Sequence, residues 1–196
     1  MQFEQVAEFI LNKMQRELPA HLTYHDVEHT RDVVNAAKQL AQLENVNAGD
    51  TQLLLTAAMY HDAGHIVKSE GHEEESCLIA GRTLPNYGYT PAQIEQICGI
   101  IRATRLPQSP ANHLEQIIAD ADLDYLGRDD FFAISHKLYL ELAHTGAVTN
   151  ENEWNKKQID FLENHRYFTK TAINLRQAKK EQNIEQIKSQ NSNLAE

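Results

Sequence analysis

The chain has 196 residues, with 18 lysines and arginines against 28 aspartates and glutamates and a formal net charge of −10. That length suits one domain with a real core, and the acidic balance argues against non-specific binding to nucleic acid or to an anionic membrane. No stretch approaches the roughly 20 apolar residues that span a bilayer. The start, Met1-Gln2-Phe3-Glu4-Gln5-Val6, lacks the basic-then-apolar pattern of a secretion signal, and two cysteines, Cys77 and Cys98, make no disulfide framework, so a cytoplasmic location is expected.

In chain order, Val6, Phe9, Ile10, Met14 and Leu18 form an apolar stripe at helical spacing that Pro19 stops. Thr30 to Leu43 repeats the pattern through Val33, Val34, Ala37, Leu40 and Ala41. Gly49-Asp50 opens a helix whose Leu53, Leu54, Leu55, Ala57, Ala58 and Met59 are apolar on several sides, as in a central, buried helix. Another spans Gly71 to Leu84 and ends at Pro85-Asn86-Tyr87-Gly88. Thr90-Pro91-Ala92-Gln93 carries a Thr cap, Pro at the first helical position and a Gln that completes a capping box, ahead of Ile94, Ile97, Cys98 and Ile101. Leu106-Pro107-Gln108-Ser109-Pro110 is a loop. Helices are expected over Leu114 to Leu126, over Asp129 to His144, and from the Asn150-Glu151-Asn152-Glu153 cap through Trp154, Ile159, Phe161 and Leu162. Beyond Arg176 the chain turns polar, with a thin stripe at Ile184 and Ile187. The expectation is a single all-α domain over residues 1–176, followed by residues 177–196 as a polar helix or frayed tail.

The chemistry concentrates in Tyr60-His61-Asp62-Ala63-Gly64-His65, a His-Asp doublet at the end of an apolar run. A buried aspartate is costly unless it is hydrogen-bonded, paired or metal-bound. Asp62 therefore either caps the Ala63-Gly64 turn or ligates a cation. His25 and His29 lie four apart and share a face if both are helical, although Tyr24-His25-Asp26 can precede the helix. Asp120, Asp122 and Asp124 interrupt an apolar helix, so at least one is expected to point inward and to need a cation. A mixed set of histidine and carboxylate suits Mn, Fe, Co, Ni, Zn or Mg, and without cysteines at structural spacing it points to catalysis.

His29, His61-Asp62 and Asp122, in that order, resemble the H…HD…D pattern of the HD-domain metal-dependent phosphohydrolases. The match covers roughly Tyr24 to Leu126. The resemblance implies an all-helical fold, one divalent metal held by His29, His61, Asp62 and Asp122, and action on a small phosphomonoester or phosphodiester, often a nucleotide. Cyclic-nucleotide phosphodiesterases show a similar His-x-x-x-His opening in which the first histidine donates a proton, a role that would fall to His25. His65 stands where relatives carry Glu or Lys near the scissile phosphate. His72 lies where two-metal members ligate a second ion, so a second metal stays open.

Arg102, Arg105 and Lys68 are the candidate phosphate contacts, arginine being suited to bidentate oxyanion recognition, and His165 could reach the pocket from the last core helix. The expected reaction is attack of metal-activated water on phosphorus, with Asp62 orienting the water and His65 or His25 protonating the leaving oxygen. The alternative is a metal-containing nucleotide-binding sensor without turnover. The oligomeric state is not legible.

Overall fold

A computed structural model describes residues 1–193, and nothing but helices, tight turns and loops is found among them. Nine α-helices run through this part of the chain: α1 Phe3–Glu17, α2 Val27–Leu43, α3 Ala48–Tyr60, α4 His72–Thr83, α5 Pro91–Arg102, α6 His113–Asp122, α7 Phe131–His144, α8 Glu151–Asn164 and α9 Lys170–Asn193. None is long and apolar enough to cross a membrane.

Local chemistry sets the helix starts. Asp26, Asn47, Asn112 and Asn150 each accept from the backbone N–H three residues on, and Thr90 with Gln93 closes the full capping box at α5. Helix α3 is apolar nearly all round because it is central: Leu53, Leu54, Ala57, Ala58, Met59 and Tyr60 are buried, and it packs against α1, α2, α5 and α6. Each fully buried Leu or Ile in this cluster contributes about 1.5–3 kcal/mol relative to exposure.

Two apolar clusters divide the molecule. The larger is built mainly from α1 to α6. The smaller joins Tyr24, Leu123, Tyr125 and Leu126 to Phe131, Leu162, Ile184 and Ile187. Between them the chain departs from the expected helix over Leu114 to Leu126: α6 ends at Asp122, and Asp124–Gly127 forms a tighter turn. That turn takes Asp124 off the α6 face and into a 2.7 Å bond from Arg176 of α9. Helix α9 crosses so closely that a Cβ at Gly127 would lie 2.4 Å from the Arg176 carbonyl oxygen.

Helix α9 runs unbroken through position 176 and buries Lys180, Asn183, Ile184 and Ile187. Lys180 donates to the carbonyls of Leu162 (3.2 Å) and His165 (2.6 Å), satisfying the end of α8. Asn183 donates to the Leu126 carbonyl at 3.0 Å. Residues 194–196 of the expected tail lie outside the described residues.

Candidate metal centre

Three helix ends converge. His29 sits in the first turn of α2, where Asp26 accepts from its backbone N–H at 2.8 Å. His61 closes α3 in helical conformation, and the chain leaves the helix at Asp62. Asp122 is the last residue of α6. The exit from α3 is what lets two adjacent side chains face one point. Asp62 makes no side-chain cap bond to the turn that follows it, which removes the capping alternative.

His29 Nε2 lies 3.4 Å from His61 Nε2, 3.4 Å from Asp62 Oδ2 and 3.2 Å from Asp122 Oδ1. His61 Nε2 lies 3.2 Å from Asp62 Oδ2 and 3.4 Å from Asp122 Oδ1. Neighbouring donors around a divalent ion with bonds of about 2.1 Å are spaced by roughly 3.0–3.4 Å. Asp62 Oδ2 is buried and has no hydrogen-bond partner among the described residues. His61 Nδ1 bonds the Ala58 carbonyl at 2.9 Å, which makes Nδ1 the protonated nitrogen and leaves the Nε2 lone pair for the cluster. The donor set, its spacing and its orphaned oxygen fit a divalent cation whose charge the two carboxylates would balance.

The same electrostatics govern protons. Burial opposes charge on His61, but the charges of Asp62 and Asp122 outweigh it and raise its pKa well above the ordinary histidine value. Burial likewise works against Asp122, and bonds from His29 and His61 nevertheless hold it down at about 2. Binding of a cation here displaces protons, so occupancy rises with pH.

Asp62 also faces a second group through Oδ1, which lies 3.3 Å from His72 Nε2 and 4.0 Å from His65 Nε2. His25, Asp62 and His65 place ligand atoms close enough to hold an ion. The His65 ring is stacked between His25 and His72, with centroids 4.4 and 4.0 Å away. Both His65 ring nitrogens are buried without partners, and burial pushes its pKa down to about 3, so His65 stays neutral. The turn that carries it is pressed onto α4: a Cβ at Gly64 would lie 1.9 Å from the His72 carbonyl oxygen, and Ser76 Oγ bridges the Gly64 N–H and the His61 carbonyl.

His25 precedes α2 and is held from the far side of the molecule. Its Nδ1 lies 2.5 Å from Glu141 Oε1, and Glu141 Oε2 accepts from the backbone N–H groups of Tyr24 and His25 at 3.0 and 3.1 Å. Burial opposes protonation of His25, but the Glu141 bond and the Asp62 charge overcome it and raise its pKa. Glu141 escapes a reading of the sequence because its partner lies 116 positions away. Its one signal is a charge on the apolar stripe Phe131, Leu138, Leu142 of α7.

The other expected residues are placed elsewhere. Arg102 and Arg105 bond Glu74, and Lys68 lies 3.0 Å from Glu75; all three are exposed and none lines the cavity described below. Of the aspartate trio, Asp122 alone joins the cluster. Asp120 is buried and accepts from the Phe168 and Thr169 N–H groups and the Thr169 hydroxyl, at 2.7–2.8 Å. Asp124 pairs with Arg176. Backbone donors and an arginine meet the need that the sequence assigned to a metal. His165 borders an adjacent cavity with Pro107, Gln108 and Phe168 and does not line the one that opens on the cluster.

A cavity of about 530 Å³ opens on the cluster. His25, Asp62, His72, Glu73 and Asp122 form part of its lining, and leucine and aromatic side chains form most of the rest.

The helical fold and its His/His/Asp/Asp cluster place the chain among helical proteins built around a candidate metal centre. It belongs to the HD-domain family, whose model matches residues 26–124, half of the chain. Two solved structures share the fold. One is a predicted HD-superfamily hydrolase from an uncultured Thermotogales bacterium (TM-score 0.64, 19% identity, 95% of this chain and 92% of that one). The other is a protein of Lactobacillus plantarum (TM-score 0.67, 20% identity, 97% of this chain and 98% of that one). No curated protein matches the chain in sequence.

Proposed function

We propose that the protein is a metal-dependent phosphohydrolase that cleaves a phosphomonoester or phosphodiester, with nucleotides the substrate class that the resemblance implies. The observation that carries this reading is the four-donor cluster of His29, His61, Asp62 and Asp122, with its unpartnered buried carboxylate oxygen beside a cavity. When bound, a divalent ion supplies a Lewis acid for the phosphoryl group and lowers the pKa of water.

The remaining work falls to the chain's own groups. Asp62 orients the attacking water through its second oxygen. His25, backed by Glu141 at Nδ1, carries a proton to the leaving oxygen, a task for which its raised pKa suits it at neutral pH. Between His25 and His65 the electrostatics favour His25, because His65 stays a neutral imidazole without the second ring proton near neutrality. His65 keeps the rings of His25 and His72 apart and excludes water between them. His72 steadies Asp62 and, with it, could hold a second ion.

The test is metal quantification on the purified protein, followed by a panel of phosphomonoesters, phosphodiesters and cyclic nucleotides with Mn, Mg, Co and Ni. Metal-dependent release of product is expected. Saturable nucleotide binding with no product over long incubation would replace the hydrolase reading with a sensor.

A further inference from the structure

Much of the apolar cavity lining away from the metal donors comes from outside the matched family segment. Helix α7 contributes Leu138 and Leu142, and α8 contributes Trp154, Gln158, Phe161 and Leu162. The α8 residues fall at i, i+4, i+7 and i+8, so they share one helix face. This wall has little to offer a polyhydroxylated group. The Gln158 carbonyl oxygen is taken by the Ser135 hydroxyl. Lys157, the one lysine or arginine on the lining among the described residues, is engaged by the Ala147 carbonyl and by Glu153 at 3.0 Å. Sugar hydroxyls placed here would give up water for few partners, the Gln158 amide N–H₂ and the remaining N–H of Lys157, which costs affinity. An apolar ring or chain would gain by leaving water.

We propose that the α7–α8 wall selects phosphate esters whose organic group is apolar, against esters of polyhydroxylated groups. The proposal rests on the phosphohydrolase reading, since it seats the phosphoryl group at the His/Asp end of the same cavity, and it departs from the nucleotide class that the resemblance implies, because the wall disfavours a ribose. Leu138, Leu142, Trp154 and Phe161 become specificity-determining residues of that reaction.

Trp154 is the sole tryptophan, so its fluorescence reports on the wall alone. The purified full-length chain, with the metal it carries, is titrated with three non-hydrolysable phosphonates, methylphosphonate, benzylphosphonate and 2,3-dihydroxypropylphosphonate, with affinity read by isothermal titration calorimetry and contact with the wall by Trp154 emission. Benzylphosphonate is expected to shift the Trp154 emission and to bind at least about tenfold more tightly than the diol. Leu142→Gln and Phe161→Gln, at two half-buried positions, are each expected to weaken benzylphosphonate by at least about fivefold while leaving methylphosphonate unchanged. Unchanged methylphosphonate binding certifies that the variant is folded.

Equal binding of the diol and benzyl compounds overturns the proposal, as does benzyl affinity indifferent to both substitutions. No turnover enters these titrations. A protein that prefers the benzyl compound yet hydrolyses nothing loses only the hydrolase reading. One that hydrolyses esters without this preference loses only the present proposal.

Discussion

The two apolar clusters do different work. The one built on α1 to α6 supplies every residue of the four-donor set, each at a helix end where backbone caps fix its direction. The one reached through α7 to α9 supplies Glu141 and an apolar wall. The family match ends at residue 124, close to this boundary. One half therefore carries the candidate metal donors, and the other holds a histidine in place and walls the cavity beside them.

The strongest way to break this division is at the donors. Asp62→Ala and Asp122→Ala should each reduce bound metal to near zero and lower turnover by about a thousandfold or more. Elemental analysis of the purified variants checks this, and stoichiometric metal in either would sink the assignment. Asp120→Ala, two residues from Asp122, should do the opposite. It leaves three donors unmet, two of them buried, and costs about 2–4 kcal/mol in urea unfolding, with metal content unchanged.

Glu141→Gln sharpens the comparison from the other side. It keeps the shape of the side chain but removes the charge behind His25, so turnover should fall about 10–100-fold. The pKa of His25 drops with it. If protonated His25 is the acid, the alkaline limb of the pH–rate profile moves to lower pH, and an unmoved limb would leave Glu141 a packing role only.

His165 probes the C-terminal half through stability. Burial, with the Lys180 charge adding to it, depresses its pKa to about 3, below the unfolded value. Between about pH 6.5 and 3 the unfolded chain then binds the extra proton, so stability falls as pH falls through that window, by about 2 kcal/mol at pH 5. His165→Leu should flatten that limb in pH-dependent chemical denaturation. The smallest effects are expected at Lys68→Gln and Arg102→Gln. These remove exposed pairs, and stability should change by no more than about 0.5 kcal/mol and turnover by less than about twofold.

Most of the helices were legible from apolar periodicity and caps, because those signals are local. The family donors were legible because the doublet His61-Asp62 and its ordered partners His29 and Asp122 form a pattern along the chain. What escaped is non-local. Glu141 gains its meaning from a histidine in another part of the fold, and Arg102 and Arg105 lose theirs to Glu74 on a neighbouring helix. The aspartate trio shows the ambiguity most clearly. Three identical side chains in five positions meet an N–H-rich loop, a metal-type cluster and an arginine in turn. The α7–α8 wall reads in sequence as ordinary core, since leucines facing a cavity and leucines facing each other have the same spacing.

Three glycines make two different demands on a saturation library. At 64 and 127 an added methyl would strike backbone at 1.9 and 2.4 Å, once where the doublet's turn meets α4 and once where α9 crosses the turn beyond Asp122. At 81 it would meet nothing within 4 Å. Selection for folded, metal-loaded protein should return glycine alone at the first two positions and a mixture at the third. The tolerance map of this chain would thus draw the outline of its site from residues that carry no chemistry of their own.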